Sequence, residues 1–262
     1  MSIYIGVDIG GTNTRIALLH GLRPQRVEAF VMPTPRSRFA LTVLLKQRIG
    51  ELAAAEGRPS GIGVAVAGVI SDAGRVVVAQ NASFLNDWDF TFLERRFRVP
   101  VLVENDARCF VAAEAAWGAA RGKKHVLGVT IGTGIGGGVI INGQMYRGAH
   151  VGAGEVGKMI IHHDARSDRA VTFEELGAKA AAEQWGDRSV VIGVGIANLI
   201  NILDPQMVVL GGGGVTKGGI RLATIRRMAA KYSVAPRSKR TPIRPTALGD
   251  AASAIGAALL FK

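Results

Sequence analysis

Two stretches of this chain repeat one pattern: an apolar strand, a glycine turn, and a second apolar strand running back. The first leads from residues 3–7 through Asp8-Ile9-Gly10-Gly11-Thr12-Asn13-Thr14-Arg15 into a strand over 15–19. The second leads from 126–131 through Gly132-Thr133-Gly134-Ile135-Gly136-Gly137-Gly138 into 139–142. Because each turn re-enters a strand, neither is a Walker A loop or a dinucleotide fingerprint, whose glycines open a helix. Glycine lets backbone N–H groups approach phosphate oxygens closely, and threonine and asparagine add donors. One such turn reads equally well as a plain tight hairpin. Two of them, one in each half, read as a duplicated unit able to clasp a single phosphate chain. A third run, Gly211-Gly212-Gly213-Gly214, follows a strand over 207–210 and suits the flat face of a base or ribose.

Between these landmarks strands and helices alternate, which argues for an α/β fold. Leu41, Leu44, Leu45, Ile49 and Leu52 recur at helical spacing and read as a core-facing stripe after Arg38. Further strands are expected at 27–31, 61–66, 76–78, 101–103 and 243–247. Helices are expected from Asp106 towards Gly118, over 190–203 and 216–231, and from Asp250 to the end.

Two more segments carry candidate chemistry. Glu104-Asn105-Asp106 ends a strand and opens a helix. Asn and Asp are preferred helix N-caps, so an ordinary cap is one reading. The other is that Asp106 takes a hydroxyl proton while Asn105 holds a neighbouring hydroxyl. A helix N-terminus favours the ionised carboxylate that a general base needs. In Gly148-Ala149-His150-Val151-Gly152-Ala153-Gly154-Glu155-Val156-Gly157-Lys158 the glycines let backbone wrap a small ligand, and Glu155 offers a carboxylate for two hydroxyls. A flexible loop with a solvated glutamate is the alternative.

Composition narrows the classes. With 48% apolar and 20% charged residues the chain is globular. Its single cysteine, Cys109, excludes an intrachain disulfide and a multi-cysteine zinc site. The N-terminus lacks the features of a signal peptide, and glycine breaks or limits each apolar run, so a cytoplasmic protein without a membrane span is expected. Thirty-two basic against 20 acidic residues give a formal charge of +12, which attracts polyanions. The densest basic run, Arg237-Ser238-Lys239-Arg240, has few aromatics near it, unlike single-strand nucleic-acid binders, so nucleic acid is not the expected partner.

Taken together, DIGGTNTR, VAVAGVISDAGRVVVAQN, ENDA, IGTGIGGGVIINGQMYRGAHVGAGEVGK and NILDPQMVVLGGGGV resemble the ROK family of sugar kinases and sugar-responsive repressors, over nearly the whole chain. The resemblance implies a two-domain actin-like ATPase (ribonuclease H-like) α/β fold, ATP with Mg²⁺ as donor, a hexose acceptor such as glucose, and a homodimer. It divides the chain into 1–106, an N-terminal domain on which helix 250–262 packs back, and 107–249, a larger C-terminal domain, with the active site in the cleft. It makes Asp106 the base, and Asn81, Asn105, Glu155, Lys158 and Glu174 sugar-side residues. The nucleotide would be held by Gly10, Gly11, Thr12, Asn13, Thr14, Arg15, Gly132, Thr133, Gly134, Gly136, Gly137 and Gly211 to Gly214, with Asp8 holding Mg²⁺ through water. Lys158 stands where most members have a histidine that touches both sugar and zinc, and the cysteine cluster found just beyond it in them is missing. No zinc site is therefore expected. In lacking that cluster the chain is partly similar to polyphosphate glucokinases and polyphosphate/ATP glucomannokinases, which makes polyphosphate an alternative donor. A sugar-sensing regulator is the non-enzyme alternative, although the first motif starting at Asp8 leaves no room for a DNA-binding domain ahead of it.

Overall fold

The computed structural model describes residues 2–22, 27–79, 82–178 and 187–262, and divides them into two units. The first comprises Met1–Ala113, Gly148–Gly152 and Ala251–Lys262; the second comprises Glu114–Arg147 and Ala153–Asp250.

In the first unit the apolar run β1 (Ile3–Ile9) pairs antiparallel with β2 (Asn13–His20), which pairs with β3 (Val27–Pro33). On its other side β1 lies parallel to β4 (Gly61–Val66), and β4 parallel to β7 (Val101–Asn105), giving the order β3-β2-β1-β4-β7. The small hairpin β5 (Val69–Ile70) and β6 (Val76–Val78) comes after β4. Helix α1 (Arg38–Glu56) is capped by Ser37 and buries Leu41, Leu45 and Ile49 in the core with Ile5, Val7 and Ile62. Its apolar stripe is the one expected from helical spacing. A short α2 (Thr91–Phe97) precedes β7, and α3 (Asp106–Ala116) continues directly from it.

The second unit repeats this plan. Antiparallel β8 (Val126–Ile131), β9 (Ile135–Ile141) and β10 (Gln144–Tyr146) form one side, and parallel β13 (Met207–Gly211) and β14 (Ile243–Pro245) complete the order β10-β9-β8-β13-β14. A separate hairpin, β11 (Ile160–Asp164) and β12 (Arg169–Thr172), leads into the single turn of α4 (Phe173–Gly177). Helix α5 (Ser189–Leu203) buries Ile192, Ile196 and Ile200 with Leu127, Val129 and Leu210 of the sheet.

Two expected elements differ. The helix expected over 216–231 is two pieces, α6 (Gly213–Thr216) and α7 (Leu222–Tyr232). Gly218 between them has φ +75°, and two glycines in succession are poor helix formers, so the chain breaks there. The strand expected from residue 139 starts at Ile135, so Gly136 to Gly138 lie in the ladder rather than in the turn. A Cβ on Gly137 would meet Gly154 O at 2.7 Å, which makes it a strand glycine against which another stretch of backbone packs.

Close approach also explains the last helix, α8 (Ala252–Ala258). A Cβ on Gly6 would lie 1.8 Å from Ala254 O, and one on Gly63 equally near Ala257 O. The alanine-rich helix thus lies backbone-close on β1 and β4, with Cys109 buried beside Ala257.

Candidate functional site

In the first unit the parallel register aligns Ile9 with Val66 and Val66 with Asn105. The turn after β1 and the corner after β7 therefore emerge at one carboxyl edge of the sheet. They are two strand spacings apart, about 10 Å. Carboxyl edges of parallel strands are where open α/β sheets place ligands.

The β1–β2 turn is fastened from β3. Gly10 N–H donates to Asn13 O at 3.0 Å, and Thr34 reaches over to donate its hydroxyl to Gly10 O at 2.7 Å and its N–H to Thr12 O at 2.9 Å. Gly11 and Thr12 are exposed at the tip, and Gly10 and Asn13 partly so. Thr14 is fully buried, its hydroxyl 2.9 Å from that of Thr34, so it tethers the turn from below. Asp8 is buried at the end of β1 with its carboxylate 3.6 Å from the Arg15 guanidinium. Nothing in the sequence marked Thr34, because its partnership comes from strand register alone.

At the corner, Asn105 serves as the cap. Its Oδ1 accepts from Arg108 N at 3.1 Å, and its Nδ2 donates to Gly68 O at 3.0 Å. That division places Asp106 in the first turn of α3, where Oδ1 accepts from Ala107 N at 2.9 Å and the helix dipole favours the carboxylate. Ser253 of the C-terminal segment donates to Asp106 O at 3.1 Å. Behind the corner, Glu104 Oε1 accepts from Arg108 Nη1 at 3.1 Å and from Asn105 N at 2.8 Å, both side chains being 5% exposed. Arg108 Nη2 also donates to Val151 O. Val151 has φ +52°, a left-handed conformation that a β-branched residue adopts at a cost of about 1–3 kcal/mol. Neither the buried Glu104–Arg108 pair, which joins the end of β7 to α3, nor its clamp on Val151 stood out in the sequence.

In the second unit the turns after β8 and β13 are neighbours, because those strands pair in parallel and a Cβ on Gly212 would meet Ile131 O at 2.6 Å. Gly212 has φ +82°, so the tight exit from β13 calls for glycine. Gly132 N–H donates to Gly134 O at 2.9 Å, and Thr133 is exposed at the tip. Glu174 ties this turn to the glycine loop: one oxygen accepts from Ile135 N at 2.8 Å and the other meets Lys158 Nζ at 2.7 Å. Lys158 is thus committed to an ion pair with Glu174. Glu155, just ahead of a 3₁₀ turn over Val156–Lys158, is exposed and bonds through its side chain to none of the described residues.

Two charged groups support the β13 turn. Arg188 is buried and lies beneath Gly214 and Gly219; it donates to Gly177 O at 3.2 Å, and burial lowers its pKa. Next to it, the hydrogen bond from Ser189 and the ion pair with Arg221 hold the Asp187 carboxyl down at a pKa of about 2. Glu114, fully buried, accepts from Thr246 Oγ1 at 2.5 Å and from Leu248 N and Ala119 N at 3.1 and 2.7 Å, so it anchors the stretch after β14. None of these three stood out in the sequence as a site residue. Asn81 lies outside the described residues. No group of three metal-ligating side chains occurs among the described residues, and none of their helices is long and apolar enough to cross a membrane.

A family model described as the ROK family matches residues 4–170 and 162–262. A glucokinase of Halalkalibacterium halodurans is 27% identical over 99% of this chain and 94% of its own length. A putative xylose repressor of a Caldicellulosiruptor species is 26% identical over 98% of this chain and 77% of its own. Among solved structures, a ROK hexokinase from Thermus thermophilus shares 27% identity at a TM-score of 0.78, over 98% of this chain and 97% of that one. An inorganic polyphosphate/ATP-glucomannokinase from an Arthrobacter species shares 28% at 0.75, over 99% and 98%. The fold is the actin-like α/β class that the resemblance implied.

Proposed function

The chain belongs to the ROK family, and from that premise we propose that it is a sugar kinase transferring the γ-phosphoryl group of ATP to a hexose, at the 6-hydroxyl of a glucose-like sugar. The observation that carries this reading is the register Ile9–Val66–Asn105, which sets a glycine phosphate turn and a carboxylate at a helix N-terminus along one sheet edge. Phosphoryl transfer asks mainly for positioning, charge neutralisation and one base.

In this reading the sugar hydroxyl gives its proton to Asp106, its oxygen bonds to the γ-phosphorus, and the bond to the β-phosphate bridging oxygen breaks to release ADP. The cap role of Asn105 fixes the start of α3 and with it the aspartate, and the remaining N–H of the Asn105 amide is a donor for a neighbouring hydroxyl. Glu155 accepts from sugar hydroxyls through its exposed carboxylate. Lys158 and Glu174, paired with each other, hold the glycine loop for the sugar and the second phosphate turn in one arrangement. The tips Gly11 to Asn13 and Thr133–Gly134 offer N–H groups to phosphate, the N–H groups of Gly10 and Gly132 closing the two turns, and Gly211 to Gly214 offer a surface for the nucleoside. Thr14, Gly136 and Gly137 act from within the hairpins. Magnesium needs only one or two carboxylates beside phosphate oxygens. Asp8, at the end of β1 and paired with Arg15, would hold it through water, and the metal would neutralise phosphate charge.

The +12 charge and the likeness to a polyphosphate/ATP-glucomannokinase favour polyphosphate as a second donor. A coupled assay over a hexose and amino-hexose panel, with ATP–Mg²⁺ and separately with polyphosphate, tests both. Turnover with either donor names the donor and the sugar. Silence with both, alongside measurable sugar binding, would replace the kinase by a sugar-responsive regulator of the kind the xylose repressor represents.

A further inference from the structure

The densest basic run in the chain has no part in the proposed phosphoryl transfer. Residues 205–249 contain nine lysines and arginines and no acid, so they carry three-quarters of the net charge of +12. The fold gathers part of this charge around a cavity. Arg226 of α7, Lys239 and Arg240 of the 3₁₀ turn Ser238–Arg240, and Arg244 of β14 line a cavity of about 390 Å³ with Ile200 and Ala229 at its apolar side. That volume is in the range of about 300–1,000 Å³ usual for small-molecule sites.

Three features shape this hollow, whose four cationic residues are exposed. Arg226 is fixed, donating both Nε and Nη2 to Ile243 O at 2.9 and 2.8 Å, so its charge is held in one place. Lys239, Arg240 and Arg244 form no ion pair or side-chain hydrogen bond with the described residues. Asp204 has one carboxylate oxygen taken by the Ser238 hydroxyl at 2.5 Å, which pins the 3₁₀ turn that carries Lys239 and Arg240. Four cations around one hollow repel each other, and an anion bound among them relieves that repulsion.

The cavity is also at the wrong end of the sheet to be the donor site. Ile243 stands opposite Val208 at the start of β13, and Val208 N–H donates to Pro242 O, whereas the glycine turn begins where β13 ends at Gly211. The two are separated along the strand by about 10 Å.

We propose that this cavity is an accessory site for an anion bearing several phosphate charges. Guanidinium forks match phosphate oxygens in a bidentate manner, and three or more cations are more than a single carboxylate would need. The inference does not rest on the kinase reading. The chemistry is shared by inorganic polyphosphate and by organic phosphates such as a hexose phosphate, and the experiment separates them. The full-length protein is titrated by calorimetry with inorganic tripolyphosphate, long-chain polyphosphate and glucose 6-phosphate at about 0.15 M salt, in the wild type and in K239Q/R240Q/R244Q. We expect at least one probe to bind, at least about tenfold more weakly to the triple variant, with any ATP-dependent turnover unchanged within about twofold. The probe whose binding the triple variant weakens identifies the source. No binding to the wild type, or equal binding to both proteins, overturns the site. Tighter binding of a single-stranded RNA of matched charge than of any phosphate probe overturns it too, in favour of a nucleic-acid surface. Should the triple variant fail to fold, R240Q and K239Q singly, each at an exposed position, give the same reading with a weakening of about threefold. Because the readout is heat of binding, a protein silent as a kinase still answers the question.

Discussion

The two sheets have the same strand order, yet they end differently. In the first, the fifth strand β7 runs into Asn105, Asp106 and a helix. In the second, the fifth strand β14 runs into Thr246, whose hydroxyl is turned onto the buried Glu114. The same position in a duplicated plan thus carries a carboxylate at a helix N-terminus in one unit and a tethered loop in the other. The turns differ too. Neutral threonines and a strand register fasten the first, whereas the Glu174 carboxylate, itself held by Lys158, fastens the second. A common scaffold has been specialised at the exits from its strands, so chemistry is assigned to the ends of elements and not to the elements themselves.

The sharpest way to break this comparison is at the two fifth strands. Asp106→Ala is expected to lower turnover by about 10²–10⁴-fold while sugar binding, followed by intrinsic fluorescence, is largely kept. Thr246→Val, at the matching place, should leave turnover within about threefold. Near-normal turnover in the first variant would remove the asymmetry and with it the assignment of the base.

Stability gives the next test. Gly63→Ala forces a Cβ onto backbone oxygen at 1.8 Å and is expected to cost about 3 kcal/mol in urea unfolding. Gly177→Ala in the second unit meets Ile135 Cδ1 at 2.6 Å, the far end of a side chain that gives way more easily, and should cost about 1 kcal/mol. Equal costs would mean that the C-terminal helix is not backbone-close on the first sheet.

A smaller effect is expected at the second turn. Glu174→Gln loses the charged acceptor of Ile135 N and the pair with Lys158, for about 1–2 kcal/mol. Lys158→Ala loses only a partly exposed pair, for less than about 1 kcal/mol. If the lysine variant proved the costlier, Lys158 would have a further partner.

The smallest is a pH effect confined to the second unit. Asp187 has its pKa depressed to about 2, so the stability that its pairing contributes is present above pH 3.8 and is lost as pH falls through 2. The difference in melting temperature between wild type and Asp187→Asn should therefore shrink as pH is lowered from about 5 to about 2.5. A difference constant over that range would show that the carboxylate is not stabilised by its partners.

Much of this architecture could be read without coordinates. Periodicity located α1 and its buried leucines, and the paired glycine hairpins indicated the duplication. What could not be read was which glycines serve a turn and which serve packing. Gly137 and Gly212 sit in similar runs, but one accommodates the backbone of Gly154 and the other permits a left-handed exit beside Ile131. The ambiguity at Asn105-Asp106 is of the same kind. Both the cap and the catalytic reading were open, and the structure gives the cap to Asn105 and leaves Asp106 in the first helical turn.

The sequence by itself determined the fold class, the duplicated hairpins and the chemical types available at each turn, because these depend on local periodicity and on backbone freedom. Tertiary structure alone decided the partnerships that span distance in the chain: Thr34 under the first turn, Glu174 under the second, Arg108 on Val151, and the basic cavity formed by α7, the 3₁₀ turn and β14. Strand register and helix docking create those contacts, and neither is encoded by neighbouring residues.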